Sequence, residues 1–228
     1  IQLGENPSRV FNVGGLGIES IKRLKLLSKL DFENSIKFKL NSKNILVTFH
    51  PVTLEARTSQ KQFEELLSSI DELDNTNIIF TKTNSDVDGK VINSMIDEYS
   101  ANNPNKSIAF ESMGQLKYLS ALQHIDLVIG NSSSGLLEVP SFKIGTINIG
   151  DRQNGRLKAK SVIDCLPNKQ NINQAIKKAY SRDFQKDLKN IINPYGDGCA
   201  SKKIMIILKN ISFEDIIKKK FYNVKFSI

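Results

Sequence analysis

Apolar and polar positions follow two periods along the chain, one typical of buried strands and the other of amphipathic helices. From residue 44 onward, short apolar runs are followed by stretches whose apolar residues recur every three or four positions. The strands predicted from these runs cover residues 44–49, 77–81, 107–110, 127–129, 145–149 and 161–165. The predicted helices cover residues 58–70, 89–100, 114–123, 135–139, 171–180, 184–191 and 201–208.

This alternation of strand and helix predicts an α/β fold with a doubly wound parallel sheet and helices on both faces. Such sheets bind ligands at the carboxyl ends of their strands, so the loops at that edge are the candidate site. The loops are residues 50–52, 83–86, 111–113, 131–134 and 150–152, and each is polar, charged or rich in Gly and Ser.

The first 43 residues fit the alternation less well. Residues 9–13 are predicted as a strand, residues 18–30 as a helix and residues 31–43 as a polar connector. We therefore predict two parts. Residues 1–43 are the end of a preceding domain with a hinge and connector, and residues 44–228 are the sheet domain with C-terminal helices. Because the chain opens with Ile1 in a polar stretch, we expect it to be cut from a longer protein.

Composition argues against several classes of protein. The 228 residues are 39% hydrophobic, enough for a core, and no apolar run approaches the roughly 20 residues of a membrane span. No secretory or transit peptide is visible, so we expect no membrane partner. Cys165 and Cys199 lack CxxC spacing and a histidine partner, which argues against a metal site and a disulfide framework. A reducing, cytoplasmic location fits best.

The net charge of +8 and the pI near 9.3 raise the question of a nucleic-acid partner. The lysine run at residues 218–220 has little aromatic interleaving, and the chain carries no nucleic-acid signature. We therefore predict a solvated lysine-rich surface and no nucleic-acid partner. Such a surface still attracts a doubly negative nucleotide diphosphate.

The segment at residues 126–138, DLVIGNSSSGLLE, carries the strongest chemical signal. A strand that enters a Gly/Ser-rich turn and leaves as a helix aims backbone N–H groups and a partial positive charge at one point. This arrangement suits a phosphate at Ser132, Ser133 and Ser134, with Glu138 placed to accept hydrogen bonds from ribose hydroxyls. The same residues also suit a plain polar connection in which Ser134 caps the helix.

His50 is one of two histidines, and it directly follows a predicted strand and precedes Pro51, which fixes the backbone that leaves the sheet. A cationic imidazole at this edge would stabilise the charge that develops on a departing diphosphate. The alternative is a histidine that only makes structural hydrogen bonds. His124 lies inside a helical pattern and is predicted to pack.

Two further loops carry candidate contacts. Asn84 and Asp86 follow the second strand of the sheet, where a short amide and a carboxylate suit sugar or ribose hydroxyls, or equally an Asx-turn. Arg152 follows the fifth strand and suits a phosphate, because a guanidinium binds phosphate through two parallel hydrogen bonds. Arg156 is predicted as a solvated charge or a second such contact.

Four segments together resemble the hydrolysing UDP-N-acetylglucosamine 2-epimerases of sialic-acid and legionaminic-acid biosynthesis. They are VTFHPVTLE at residues 47–55, GQLKYLSAL at 114–122, GNSSSG at 130–135 and NIGDRQNGR at 148–156. The opening residues 4–17 also match, and the resemblance covers nearly the whole chain. It implies the Rossmann-like, UDP-binding C-terminal half of a GT-B architecture, with the N-terminal domain missing and a homo-oligomer at full length.

The resemblance also implies roles for individual residues. His50 would lie near the diphosphate and affect catalysis, and Ser132 and Ser133 would hold phosphates. Glu138 would hold the ribose, and uracil would lie against the loop from Phe110 to Met113. The matches of Asn84 and Arg152 to ligand contacts are weaker.

The implied reaction acts on a UDP-amino sugar. UDP leaves by anti elimination to give a glycal intermediate, and water then adds with inversion to release a free manno-configured amino sugar. This chemistry requires no cofactor, redox group or metal. The carboxylates that act at C2 belong to the N-terminal domain, so we expect this chain to bind UDP without turning over substrate. The rival readings are the donor domain of a GT-B glycosyltransferase and a non-catalytic nucleotide-sugar sensor.

Overall fold

A computed structural model describes residues 1–52, 58–83, 87–214 and 217–225. Its centre is one sheet of six parallel strands in the order β3-β2-β1-β4-β5-β6. The strands are β1 (Lys43–Thr48), β2 (Thr76–Thr81), β3 (Ser107–Phe110), β4 (Leu127–Gly130), β5 (Gly145–Ile149) and β6 (Val162–Cys165). All six predicted strands are confirmed, with ends that agree within one residue.

The helices are α1 (Leu16–Arg23), α2 (Lys29–Ile36), α3 (Ser59–Asp71), α4 (Val87–Asn102), α5 (Gly114–Ala121), α6 (Ser134–Leu137), α7 (Lys169–Ala179), α8 (Arg182–Leu188) and α9 (Ala200–Asn210). Short 3-10 turns lie at Pro7–Arg9 and Val139–Phe142. In the described part of the chain, no helix is long and apolar enough to cross a bilayer.

Each face of the sheet has its own apolar core, because successive side chains of a strand point to opposite faces. One face carries Val47, Phe80 and Ile129, packed beneath α3, α4 and α7. The other carries Leu46, Ile79 and Val128, packed beneath α2 and α5. Helices on both faces confirm the doubly wound α/β prediction.

The N-terminal predictions were wrong in three places. Residues 9–13 are not a strand, because Asn6 caps a 3-10 turn at Pro7 and the chain after it pairs with no sheet. The helix predicted at 18–30 is interrupted, since α1 ends at Arg23. The connector predicted at 31–43 contains most of α2, which begins where the Ser28 hydroxyl accepts a hydrogen bond from the Asp31 N–H (3.2 Å). The division of the chain at residue 43 stays a prediction.

The strand order places a crossover at the centre of the sheet. From β1 the chain moves outward through β2 and β3, and then it returns past β1 to form β4 on the other side. The loops that leave β1 and β4 therefore diverge, which opens a crevice between them at the carboxyl edge. Ligands of open α/β sheets bind at such a reversal of strand order.

Candidate functional site

Gly130 ends β4 at this crossover and explains how closely the two central strands approach. Its φ of +143° is unfavourable for other residues, and a Cβ at this position would lie 1.9 Å from the Thr48 carbonyl oxygen. Only glycine fits there. The first residue of the loop after β4 therefore lies next to the end of β1, where the Asn131 N–H donates to the Thr48 carbonyl (3.1 Å).

Asn131 is the residue that joins the loops of the site, and it is only 1% exposed. Its Oδ1 accepts a hydrogen bond from the His50 N–H (2.7 Å), and its Nδ2 donates to the His50 carbonyl (2.7 Å). Its own carbonyl accepts from Arg152 Nη1 (3.0 Å) and from Gln153 Nε2 (2.7 Å). One buried side chain and its peptide thus connect the loops after β1, β4 and β5.

The predictions did not assign these roles to Asn131 and Gln153, although both lie in quoted motifs. Gln153 is 1% exposed, and its Oε1 has no hydrogen-bond partner among the described residues. A polar residue directly after the glycine of a strand-to-loop junction was the available signal for Asn131. Gln153 gave no comparable signal, because its partner is distant in sequence.

His50 lies just beyond the end of β1 at the carboxyl edge of the sheet, as predicted, and Asn131 bonds its backbone. Its Nδ1 forms a hydrogen bond of 2.8 Å with Thr83 Oγ1, and Thr83 is 7% exposed in the loop after β2. The imidazole is therefore tied to a neighbouring loop. His124 packs as predicted, with its ring centroid 5.9 Å from that of Phe32 and its Nε2 3.1 Å from the Leu27 carbonyl oxygen.

The three serines lie in the loop after β4, beside His50 and Arg152 in the connected loops. Ser134 is the first residue of α6 and not its cap; the Ser132 hydroxyl instead accepts weakly from the Ser134 N–H (3.4 Å). Because α6 has only four residues, its N-terminus carries little of the partial positive charge that was expected to attract a phosphate. The donors that this loop and its neighbours offer are therefore hydroxyl groups, loop N–H groups and the Arg152 guanidinium.

Glu138 directly follows α6 and is half-buried beside Ser134 and Tyr118. Burial raises the pKa of the Glu138 carboxyl, while a hydrogen bond with the Ser134 hydroxyl opposes the shift. The Tyr118 hydroxyl hydrogen-bonds to Ser134, and burial raises the pKa of Tyr118. Glu138 Oε2 is buried without a hydrogen-bond partner in the described part of the chain. It is an acceptor with capacity for one more donor.

Phe110 and Met113 flank the loop after β3, as predicted, but their side chains serve mainly the core. Both pack into the cluster beneath α2 and α5, and Met113 is 7% exposed. A depression of about 330 Å³ lies beside them, lined by Thr81, Glu111, Ser112, Met113, Gly114, Gln115 and Tyr118. Its walls come from the end of β2, the loop after β3 and the first turns of α5.

Arg152 belongs to the same loop cluster through its bond to Asn131. Partial burial of its guanidinium, together with neighbouring Arg156, lowers the pKa of Arg152. Asn84 and Asp86 lie outside the described residues. Across the described ranges, no three His, Cys, Asp or Glu side chains are grouped so as to hold a metal ion.

The sequence as a whole matches known proteins. Residues 1–209 match the family described as UDP-N-acetylglucosamine 2-epimerase. The hydrolysing GDP/UDP-N,N'-diacetylbacillosamine 2-epimerase of Campylobacter jejuni is 41% identical over 222 residues, which cover 97% of this chain and 57% of that protein. The hydrolysing UDP-N,N'-diacetylbacillosamine 2-epimerase of Legionella pneumophila is 30% identical, over 96% of this chain and 56% of that protein.

Solved structures show the same fold. The UDP-GlcNAc 2-epimerase of Methanocaldococcus jannaschii, in complex with UDP-GlcNAc and UDP, superposes with a TM-score of 0.69 at 19% identity, over 91% of this chain and 57% of that one. The fold is thus the predicted Rossmann-like one, of the kind that forms half of a GT-B architecture. The chain spans a little over half the length of these relatives. From the family match and the identity to the C. jejuni enzyme, the chain belongs to the UDP-N-acetylglucosamine 2-epimerase family.

Proposed function

We propose that this chain is the UDP-binding half of a hydrolysing UDP-sugar 2-epimerase. The observation that carries the proposal is the joining of three loops at the crossover by Asn131, which brings His50, the three serines and Arg152 to one edge of the sheet. Hydroxyl groups, loop N–H groups and a guanidinium are the donors that a diphosphate requires. Membership of the UDP-N-acetylglucosamine 2-epimerase family supports UDP as the nucleotide.

Each candidate residue then has one role. Ser132, Ser133, Ser134 and Arg152 bind the phosphates. Glu138 accepts hydrogen bonds from the ribose hydroxyls, and uracil occupies the depression beside Phe110 and Met113. Asn84 and Asp86 are further contacts to the sugar or nucleotide.

His50 is the catalytic residue of this half. When the bond from C1 of the sugar to the diphosphate breaks, negative charge develops on the departing UDP, and a cationic imidazole beside it lowers the barrier. Elimination also needs a base that removes the proton at C2, and none of the residues assigned here has that task. The chain alone therefore binds UDP without releasing sugar.

The substrate class is a UDP-linked 2-acetamido sugar. Two relatives at 41% and 30% identity bear names that specify N,N'-diacetylbacillosamine, so the 2,4-diacetamido-6-deoxy sugar is the first substrate to test with full-length protein, and UDP-N-acetylglucosamine is the second. Identification of the released sugar distinguishes them. Transfer of the sugar to an acceptor, without hydrolysis, would instead indicate a glycosyltransferase.

Calorimetric titration of the 228-residue chain with UDP tests the binding claim. Replacement Glu138→Ala should weaken UDP binding roughly 10- to 100-fold, because a hydrogen bond to a charged group contributes about 1.5–3 kcal/mol. The matched control is Glu65→Ala on α3, which removes a carboxylate that accepts from the Lys169 N–H (2.7 Å) away from the crossover. Absence of UDP binding, or equal loss in both variants, contradicts the proposal. Release of free amino sugar by the chain alone would disprove its inactivity.

A further inference from the structure

The side-chain amides of Asn131 and Asn93 each form two hydrogen bonds to the backbone of one residue, two positions beyond the end of β1 and of β2 respectively. Asn131 bonds to both the N–H and the carbonyl of His50, each at 2.7 Å. Asn93, on α4, does the same to Thr83: its Oδ1 accepts from the Thr83 N–H (3.0 Å) and its Nδ2 donates to the Thr83 carbonyl (3.1 Å). We call these two pairs of hydrogen bonds the amide clamps.

The clamped residues are matched in register. Thr48 lies opposite Thr81 in the pairing of β1 with β2, so His50 and Thr83, each two residues further on, lie opposite one another beyond the strand ends. Their side chains are joined by the bond from His50 Nδ1 to Thr83 Oγ1 (2.8 Å). The clamps therefore fix both ends of a single histidine–threonine contact.

We propose that Asn131, Asn93 and Thr83 are positioning residues that set the orientation of the His50 imidazole toward the diphosphate. The proposal rests on the proposed function, since it assumes that His50 faces that group. A side chain contributes to transition-state stabilisation only if its rotamer is fixed beforehand, and hydrogen bonds from a surrounding layer of residues commonly do this. His50 and Thr83 lie beyond the last paired residues of β1 and β2, and the clamps bond the backbone N–H and carbonyl groups of both residues.

The chain contains a matched control for the clamp itself. Asn44, at the amino end of β1, makes the same pair of bonds to Asn41, accepting from its N–H (2.9 Å) and donating to its carbonyl (3.0 Å). Asn44 is 4% exposed, nearly as buried as Asn131. Its clamp lies at the opposite edge of the sheet, so Asn44→Ala removes equal bonding without affecting His50.

The first experiment needs no ligand. The chain has two histidines, so the ring nitrogen resonances of His50 are readily assigned by NMR, with His124 as an internal reference. Thr83→Val, Asn93→Ala and Asn131→Ala should each shift the His50 ring signals, whereas Asn44→Ala should leave them unchanged. Unchanged His50 signals in the Thr83 and Asn93 variants overturn the proposal. These two variants keep the test valid if Asn131→Ala does not fold.

The second experiment is a double-mutant cycle on UDP affinity. Asn131→Ala should weaken UDP binding about 10-fold when His50 is present, equivalent to about 1.4 kcal/mol. In a His50→Ala background the same replacement should weaken it less than about 2-fold, because contacting residues are not additive. Equal losses in both backgrounds mean that Asn131 acts on the loop rather than through His50. If the unaltered chain binds no UDP, the proposed function fails, and the NMR result still decides the positioning claim.

Discussion

The two edges of the sheet both carry buried polar side chains, and they use them differently. At the amino edge, the clamp of Asn44 closes on Asn41, three residues earlier, and the Asn44 N–H donates to Asp126 (2.7 Å). At the carboxyl edge, the clamp of Asn131 closes on His50, 81 positions away. The two clamps therefore differ in span, because the Asn44 clamp closes a local turn whereas the Asn131 clamp holds together loops that are remote in sequence.

The edges also differ in the atoms that remain unpaired. Asn44, Thr76 and Asn77 at the amino edge each bond to backbone groups of nearby connections. At the carboxyl edge, Glu138 Oε2 and Gln153 Oε1 are buried without partners in the described ranges. Buried polar atoms are normally paired, so unpaired ones at a crossover crevice indicate capacity for a ligand. The hydroxyls of Ser161 and Tyr180 at the amino edge are also unpaired among the described residues, but they lie away from the crossover.

The largest effect is expected from a substitution that prevents the close approach of β4 to β1. Gly130→Ala places a Cβ 1.9 Å from the Thr48 carbonyl oxygen at a φ of +143°, which should lower the free energy of unfolding by about 3 kcal/mol or more. Gly150→Ala is the control, since Gly150 has a φ of +73° and no atom within 4 Å of an added Cβ. Gly150→Ala should lower the free energy of unfolding by about 1–2 kcal/mol, because it adds backbone strain without a steric clash. Equal losses in urea unfolding would show that the close approach does not matter.

A half-buried carboxylate lies at each edge of the sheet, Glu138 at the carboxyl edge and Asp126 at the amino edge. The pH dependence of stability tests whether they differ. Burial raises the pKa of Glu138, with the Ser134 hydrogen bond opposing the shift, and burial likewise raises the pKa of Asp126 against the Asn44 N–H. Because these carboxyl groups have higher pKa values in the folded than in the unfolded protein, ionisation at higher pH lowers the free energy of unfolding. Their stabilising effect is fully present below the unfolded pKa values of about 4. It is lost as pH rises through the higher pKa values of the folded protein. Glu138→Gln and Asp126→Asn should both reduce this loss, measured by urea unfolding between pH 4 and 7.

Only one of these two replacements should affect the ligand. Glu138→Gln should weaken UDP binding roughly 10-fold, because it removes a charged acceptor, whereas Asp126→Asn should leave calorimetric affinity unchanged. Loss of affinity in the Asp126 variant would remove the distinction between the edges.

The smallest effect is expected at Ser161, which precedes β6 at the amino edge. Its hydroxyl is fully buried and has no partner in the described part of the chain. Ser161→Ala should change the free energy of unfolding by less than about 0.5 kcal/mol or raise it slightly, because it removes an unpaired polar group. Thermal unfolding measures this. A clear destabilisation would mean that the hydroxyl is paired after all.

The periodicity of apolar residues was sufficient to predict the strands of the sheet, but not the secondary structure of residues 1–43. Buried strands such as β1 and β4 are continuous apolar runs, and their ends follow from the first polar residue or glycine. In α2, only Phe32 and Ile36 are buried, so the apolar signal is weak in a polar sequence. Its start was visible, since Ser28 and Asp31 have the spacing of a helix cap.

The residue types of the candidate site followed from the sequence, but the contacts between them did not. The motif around Gly130 and the placement of His50 after β1 predicted a site at the carboxyl edge of the sheet, and the structure brings their loops together there. The bonds from Asn131 to His50 and from Asn93 to Thr83 join residues whose separation depends on strand order. No local pattern contains that information. Likewise, Phe110 is an aromatic residue at the expected end of β3, but its packing in the cluster beneath α5 turns it toward the core.

The strand order has a consequence for synthesis on the ribosome. Two strands and three helices separate β1 from its neighbour β4 in the sequence. While β2 and β3 emerge, one edge of β1 is unpaired, and an exposed apolar edge strand invites aggregation. Docking of β4 through Gly130 closes that edge. Substitutions at this glycine should therefore reduce the soluble yield of the protein in cells as well as its stability.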